Sequence, residues 1–262
     1  MHSLFIVVMS ECKLDISLFE VSSPAEARNS FQGLAHIAEI AERHDDMCTF
    51  MREVVKSVKG GNDLNFDERN LLSVAYKNAV GGRRGAWRAL NMDENQTPAS
   101  ICFRQQIERE LEVLCKDVID LLEKYLICHP QATDEAMVFY QKMAGDYYRY
   151  LAEFITTSEL PTLQRRSGEY YKAAMDTATA IMDPTDPARL GLALNYSVCL
   201  YEIIKDRDAA CKLASDAFDA AILRLDQLDD QQYKDGIMIL QLLRDNLTLW
   251  LSPETDQNDE QE

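Results

Sequence analysis

Residues 142–153 read Lys-Met-Ala-Gly-Asp-Tyr-Tyr-Arg-Tyr-Leu-Ala-Glu, and this stretch favours a helical fold. Lys142, Asp146, Arg149 and Tyr150 are spaced i, i+4, i+7 and i+8. At about 100° per residue, these four side chains share one side of an α-helix. The same helical period extends outward over most of the chain. The stretch therefore predicts a helix near residues 132–156 that carries a cationic stripe.

Short breaks interrupt the helical pattern on both sides of this stretch. They are rich in Gly, Pro, Asn and Asp, as at 60–62, 95–98 and 183–187, and such residues end helices. Short connections favour antiparallel neighbours. The expected fold is all-α, with one helical domain over residues 26–251. Its nine antiparallel helices are predicted near residues 26–42, 44–59, 66–92, 99–128, 132–156, 162–182, 187–204, 208–228 and 233–251.

The composition agrees with a helical protein and excludes several classes of partner. The 262 residues include only ten Gly and seven Pro, and 27 Lys and Arg face 44 Asp and Glu, which gives a formal net charge of −17. So acidic a chain is not expected to bind nucleic acid, which requires a basic surface, or an anionic membrane. The apolar run at 4–9 is far shorter than the ~20 residues of a membrane span. We expect a soluble, cytoplasmic protein.

The two ends of the chain break the pattern. Residues 1–25 combine a short apolar run with a polar stretch, so we expect an appended segment that can be deleted without loss of the fold. Residues 252–262 contain almost no apolar side chain, and we expect an acidic, disordered tail.

No pattern typical of an enzyme or a metal site occurs in the sequence. The seven cysteines include no Cys-x-x-Cys pair, and we expect buried, reduced thiols in the core. His2, His36, His44 and His129 have no nucleophile or metal ligand at a meaningful spacing. A phosphate-cradling Gly-rich loop is also missing. We therefore expect no enzyme activity, no cofactor and no metal.

The scarce positive charges are concentrated on two predicted helices. Lys77, Arg84 and Arg88 are spaced i, i+7 and i+11 on the third helix, and the fifth helix carries the stripe described above. A surface ion pair within the helix is the alternative interpretation for any single cation. However, Lys77 and Arg84 have no acid three or four residues away. Guanidinium groups that converge with a Tyr hydroxyl are the groups that hold a phosphate dianion.

Two later helices each place apolar residues around one Asn. An Asn amide donates and accepts, so it can pair with both polar groups of a peptide bond. The alternative is a core stripe that tolerates an Asn. Together the four helices suggest an amphipathic groove with one cationic and one apolar wall. The residues are Leu194, Asn195, Val198, Tyr201 and Glu202 on the seventh helix, and Leu242, Asn246, Leu249 and Trp250 on the ninth.

The same residues lie in four strings that resemble the 14-3-3 family: 68–78, 145–153, 189–195 and 242–250. The resemblance runs from about residue 34 to 251 in the family's order. It implies a cup-shaped, nine-helix subunit that dimerises through its N-terminal helices. It also implies a non-catalytic adaptor that clamps or masks client proteins by binding their phosphoserine or phosphothreonine segments in the groove.

The resemblance assigns a role to each position that matches the family's motifs. A phosphate would be held by Lys77, Arg84, Arg149 and Tyr150, and the peptide backbone by Asn195 and Asn246. The apolar wall would be formed by Leu194, Val198, Leu242 and Leu249, with Glu202 and Trp250 orienting or closing the groove.

The residues expected at the dimer interface, here called the seam, match the family only in part. The first helix offers an apolar stripe that a partner subunit could cover, formed by Leu34, Ile37, Ala38 and Ala41. At the seam Asp46 would face Gln106, where the family has a Lys, whereas Arg43 keeps its acid, Glu110. We expect a homo- or heterodimer that is weaker than is usual for the family.

A second function remains open at this point. A helical scaffold of the same fold could bind unphosphorylated clients through the apolar wall and the acidic surface. The dependence of client binding on phosphate separates the two functions.

Overall fold

The computed structural model describes residues 14, 16, 19, 23–93, 96–225 and 230–252. Within these residues it contains nine α-helices and no strand, so the all-α prediction is confirmed. Five-residue π-helical turns at Leu122–Leu126 and Leu200–Ile204 extend the fourth and the seventh helix. The helices are α1 Pro24–Ile40, α2 His44–Lys56, α3 Phe66–Asn91, α4 Pro98–Leu121, α5 Asp134–Phe154, α6 Leu160–Ile181, α7 Pro187–Cys199, α8 Arg207–Ile222 and α9 Asp230–Trp250.

Local sequence signals fix where several helices begin. The Asn65 side chain accepts a hydrogen bond from the Glu68 backbone N–H at 3.0 Å, and the Glu68 carboxylate accepts one from the Asn65 N–H at 2.9 Å. This capping box satisfies two backbone donors at the start of α3. Thr133 and Asp186 cap α5 and α7 in a similar way. Capping residues in the sequence therefore determine where α3, which carries Lys77, and α5, which carries Arg149, begin.

The described residues of the first unit, which ends at Leu114, pack α1 against α2 and α2 against α3. Their apolar core includes Phe31 from α1, Met51 from α2 and Leu72 from α3. The Arg28 guanidinium donates two hydrogen bonds, both 2.6 Å long, to the buried Glu68 carboxylate. This bidentate pair ties the second turn of α1 to the first turn of α3.

The second unit begins at Cys115 and has two apolar clusters. One joins α5, α6 and α7 around Tyr171 and Leu192, and the other joins α7, α8 and α9 around Leu190 and Leu243. Since α7 belongs to both clusters, its position is fixed from two sides. This rigid support matters because α7 carries Asn195.

The structure adds two details to the N-terminal prediction. Helix α1 begins at Pro24, with Ser23 as its N-cap, two residues before the predicted start. In addition, the Phe19 ring contacts Phe31 and Phe50 edge to face, at centroid distances of 6.3 and 5.8 Å. A single aromatic side chain can dock on a helix pair without any helical period, which is why the sequence pattern missed this contact. The remaining residues before Ser23, apart from positions 14 and 16, lie outside the described residues.

The cysteine expectation holds only in part. Cys48, Cys115 and Cys199 are buried, but Cys102 and Cys128 are exposed because they lie on outward-facing positions at the start of α4 and after its π-helical turn. None of the described helices is long and apolar enough to cross a membrane. The expected acidic tail lies outside the described residues from position 253 onward.

We predict that Phe19→Ala destabilises the protein. The substitution removes two aromatic contacts, each worth ~0.5–1.5 kcal/mol beyond area burial. The free energy of unfolding should fall by about 1–3 kcal/mol, and the melting temperature by several degrees, at ~2–4 °C per kcal/mol for a chain of this size.

The matched control is Phe66→Ala, because Phe66 is 68% exposed. An exposed substitution of this kind should change stability by less than about 0.5 kcal/mol. Equal melting temperatures for Phe19→Ala and the wild type in differential scanning calorimetry would contradict the docking of Phe19.

Candidate functional site

Helix α5 carries the stripe that the sequence predicts. The Lys142 ammonium donates to the Asp146 carboxylate at 2.8 Å, and the Arg149 guanidinium lies 3.5 Å from it. Arg149 also lies over the Tyr150 ring, with the guanidinium carbon 4.7 Å from the ring centroid. All four side chains therefore share one side of α5, as predicted.

Asp146 is the centre of a network that joins three helices. The Asn195 side-chain amide on α7 donates to Asp146 Oδ1 at 2.9 Å. The Tyr171 hydroxyl on α6 also donates to Oδ1 and accepts a hydrogen bond from Arg149 Nε at 3.1 Å. The network thus connects a predicted phosphate ligand, Arg149, with a predicted backbone ligand, Asn195, inside the second unit.

The charges in this network are compensated, although the groups are buried. Burial by itself raises the pKa of Asp146, but the positive charges of Lys142 and Arg149 outweigh burial and lower the pKa below its usual value. Burial acts to lower the pKa of Arg149, whereas Tyr171 and Asp146 raise it well above the usual value. Burial raises the pKa of Tyr171. Asp146 is therefore a carboxylate, Arg149 a cation and Tyr171 a neutral donor.

A close approach of α5 and α6 places Tyr171 in the network. A Cβ atom at Gly145 would lie 2.9 Å from the Tyr171 ring, so only Gly allows the two helices this separation. The Ser167 hydroxyl donates to the Gly145 carbonyl at 2.9 Å and holds the same crossing. Sequence reasoning did not find Tyr171, because its contact partner lies 25 residues away and no local spacing connects the two.

The other predicted phosphate ligands lie on α3, in the first unit. Lys77 is exposed and Arg84 is half-buried. Arg83, the neighbour of Arg84, projects to a different side of α3. It donates to Asp45 at 2.9 Å and to Glu110 at 2.8 Å.

The predicted apolar wall is partly exposed. Leu242 and Leu249 on α9 are 48% and 62% exposed, and Leu194 and Val198 are half-buried against the cluster of α7, α8 and α9. Asn246 lies between Leu242 and Leu249 in sequence and is half-buried. Solvent-exposed leucines on one helix face are available to an incoming apolar side chain.

Trp250 and Glu202 differ from each other in exposure. Trp250 is only 3% exposed and stacks on Tyr201 at a centroid distance of 4.7 Å. Arg207 Nε donates to the Trp250 carbonyl at 2.9 Å. Stacking on Tyr201 therefore turns the Trp250 indole into the core. Glu202 is exposed on the π-helical turn.

The predicted dimer stripe on α1 is exposed at most, but not all, of its positions. Ile37 is 63% exposed, Ala41 is exposed and Leu34 is half-buried. Ala38 is only 4% exposed, which corrects the expectation that a single subunit leaves it uncovered. Ala38 shares the inner face of α1 with Phe31 and Ala35, which pack inside the first unit.

The polar residues of the predicted seam have partners inside the subunit. Arg43 forms an ion pair with Asp46 one turn away. The Gln106 amide donates to Glu110 at 3.0 Å, and Arg83 donates to the same carboxylate. Burial acts to raise the pKa of Glu110, but these two hydrogen bonds outweigh it and lower the pKa. Glu110 therefore stays ionised.

Phe103 is a residue that sequence reasoning missed. It is 57% exposed on α4, where the spacings i, i+3 and i+7 place it on the same face as Gln106 and Glu110. This helical spacing is the sequence signal that could have identified Phe103. Among the described residues, no group of three or more His, Cys, Asp or Glu could hold a metal ion.

Comparison with known proteins agrees with these observations. Residues 34–251 match the sequence profile of the 14-3-3 protein family. The chain is 45% identical over 246 residues to 14-3-3-like protein F of Nicotiana tabacum, an alignment that covers 90% of this chain and 95% of the relative. It is 46% identical over 246 residues to 14-3-3-like protein 2 of Caenorhabditis elegans, covering 91% of this chain and 98% of the relative.

A third relative, 14-3-3 protein zeta of Bombyx mori, is 49% identical over 234 residues, covering 86% of this chain and 93% of the relative. Identity at this level over nearly the whole of each protein is far above what the fold alone would require. The chain therefore belongs to the 14-3-3 family of non-enzymatic adaptors, which bind phosphoserine and phosphothreonine segments of other proteins.

Proposed function

We propose that Lys77, Arg84, Arg149 and Tyr150 hold the phosphate of a client segment, and that Asn195 and Asn246 hold its backbone. The observation that carries this proposal is the shared carboxylate of Asp146, which contacts both Arg149 and Asn195. A cation and an amide that are held by the same carboxylate can bind a phosphate and the adjacent peptide bond at the same time.

The network also supports affinity, because Arg149 is ordered before a client binds. It is 7% exposed and is held by Tyr171, Asp146 and Glu153. A side chain that is already immobilised loses little conformational entropy on binding. Its guanidinium keeps its charge, which a phosphate dianion requires.

The apolar wall of the proposed groove consists of Leu194, Val198, Leu242 and Leu249, with Glu202 at its edge. Apolar contact with the client side chains that flank the phosphorylated residue would add to the affinity, at ~25 cal/mol per Å² of buried area. Trp250 contributes indirectly. It stacks on Tyr201 next to Glu202 and holds the end of α9 in place.

The alternative, a scaffold that binds unphosphorylated clients, uses the same apolar wall but has no need for Arg149. Asp146 and Glu153 compensate the charge of Arg149 inside the subunit. Family membership decides between the two functions: phosphorylated clients are the favoured partners, because 14-3-3 proteins bind phosphoserine and phosphothreonine segments. A cytoplasmic location is part of this proposal, since 14-3-3 adaptors typically act there.

We predict that Arg84→Gln lowers the affinity for a phosphoserine peptide by about tenfold or more, because loss of a charge-assisted contact to the phosphate should exceed ~1.4 kcal/mol. Titration calorimetry with paired phosphorylated and unphosphorylated peptides measures the effect. Arg84 suits this test better than Arg149, whose removal would also leave Asp146 with one fewer cation.

The control for the Arg84 experiment is Arg165→Gln. Arg165 is an exposed cation on α6 that pairs with Glu169 at 2.6 Å, so this variant removes the same charge at a position outside the proposed site. Equal binding of the two peptides by the wild type would refute the phosphate-dependent function and favour the alternative.

The dimer is the second part of the proposal. We place the interface on the outer face of α1, at Leu34, Ile37 and Ala41, and on the face of α4 that carries Phe103, Gln106 and Glu110. Exposed apolar residues on two helices of one unit are what a twofold partner could cover. The intrasubunit partners of Arg43 and Asp46 reduce the gain from ion pairs across the seam, which agrees with a weak dimer.

We predict that Ile37→Glu converts the dimer to a monomer. A carboxylate buried in an apolar interface costs several kcal/mol, whereas in the monomer Ile37 is already exposed and its replacement leaves the fold intact. Analytical ultracentrifugation over a dilution series gives the dissociation constant. Leu223→Glu, at a position 78% exposed in the second unit, is the control and should leave the dimer unchanged. An unaltered dissociation constant for Ile37→Glu would show that Ile37 is not in the dimer interface.

Gln106→Lys should tighten the dimer several-fold. A Lys would add an ion pair to Asp46 of the partner subunit, worth ~0.2–1 kcal/mol at an exposed position, and twofold symmetry doubles the gain. The neighbouring exposed Gln105 supplies a matched control, since Gln105→Lys adds the same charge on a different side of α4. The same sedimentation series at low and moderate salt measures the dissociation constant of both variants. A tighter dimer in both variants, or in neither, would contradict a specific pairing of position 106 with Asp46 of the partner subunit.

A further inference from the structure

A cavity of about 240 Å³ lies in the second unit between α6, α7 and α8. Its walls are largely apolar and include Met175 from α6, Leu190 from α7, and Leu213 and Ala217 from α8. None of the residues proposed to hold the phosphate or the peptide lines it. The cavity is therefore separate from the proposed groove residues, although α7 contributes to both.

One charged side chain in the cavity wall, Arg189, has few partners. Its Nη1 donates to the Met182 carbonyl at 2.7 Å, and this is its one hydrogen bond to the described part of the chain. Burial lowers the pKa of Arg189 below its usual value, and the nearby positive charge of Arg224 adds to the effect against the opposing influence of Asp183 and Asp186. A guanidinium has five N–H donors, and most of those of Arg189 form no hydrogen bond within the described part of the chain.

The acids around the cavity each have another partner. Asp183 forms an ion pair with Arg224 at 2.6 Å and accepts hydrogen bonds from Thr185. Asp216, which lines the cavity, pairs with Lys212 at 2.7 Å. Asp186 caps α7. Arg189 is thus the charged group beside the cavity that lacks an ion-pair partner among the described residues.

We propose that this cavity binds a small organic carboxylate whose apolar body fills the space between Met175, Leu190, Leu213 and Ala217, and whose carboxylate pairs with Arg189. An apolar cavity of roughly 150 Å³ is large enough for benzene. The larger cavity described here accommodates an aromatic ring with a short side chain. A guanidinium matches a carboxylate with two parallel hydrogen bonds.

The chemistry of the wall selects against other ligands. A cation would be repelled by Arg189, and an inorganic anion would gain no free energy from covering the apolar wall. A neutral apolar molecule would fill the volume but would form no ion pair with Arg189.

The experiment uses the full chain labelled with ¹³C at its methionine methyl groups. The probe is 3-phenylpropanoate, which is titrated while the Met175 methyl signal is followed by NMR, with Met175→Leu used to assign that signal. Met51, which is fully buried in the first unit, provides an internal control signal that should not move. The alcohol 3-phenylpropan-1-ol and the amine 3-phenylpropylamine test the requirement for negative charge.

We expect a saturable shift of the Met175 signal with the carboxylate, at least tenfold weaker binding of the alcohol, and no binding of the amine. Arg189→Gln should weaken carboxylate binding at least tenfold. Ala217→Leu should abolish it by filling the cavity while leaving Arg189 in place. Both variants should retain the phosphopeptide affinity of the wild type, which shows that the fold is intact.

Equal affinity for the acid and the alcohol would overturn the role of Arg189. Unchanged carboxylate binding by Ala217→Leu would show that the probe binds elsewhere, and no saturable shift at millimolar probe would overturn the site altogether. Because phosphopeptide affinity is measured on the same samples, these outcomes are distinct from a failure of the proposed adaptor function.

Discussion

The second unit depends on the compensation of one buried charge. The Asp146 carboxylate lies in the interior of the α5, α6 and α7 packing, where an ion without partners would be strongly unfavourable. Lys142, Arg149, Tyr171 and Asn195 supply those partners. Each partner gains a fixed position in return. Asp146, the acid that these partners compensate, is therefore also the group that orients Arg149 and Asn195, the side chains proposed to bind a client.

This arrangement explains how a protein with a net charge of −17 can present a site for an anion. Exposed acids on the rest of the surface are screened by salt beyond about 8–10 Å, whereas a guanidinium at short range in a partly desolvated position attracts a phosphate strongly. Local structure, and not net charge, determines what binds there. Net charge is informative about classes of partner, such as nucleic acid, but not about a site of a few residues.

The close packing of α5 on α6 shows how far the site relies on small residues. Gly145 leaves room for the Tyr171 ring, and Ser167 hydrogen-bonds to the Gly145 carbonyl and contacts the Cys199 thiol at 3.2 Å. Burial raises the pKa of Cys199, so this thiol stays protonated and acts as a small core residue. The polar network rests on this layer of packing.

The sequence by itself determined the helices and the side chains that share one face of each. Helical period and capping depend on neighbours three to seven residues apart, and this is why the stripe of Lys142, Asp146, Arg149 and Tyr150 was predictable. Contacts across the fold were decided by the tertiary structure. These contacts join residues that are distant in sequence: Trp250 against Tyr201, Ala38 on the inner face of α1, Tyr171 with Asp146, and Phe19 on the first two helices. The spacing of residues within one helix does not determine which of its faces packs against a neighbouring helix.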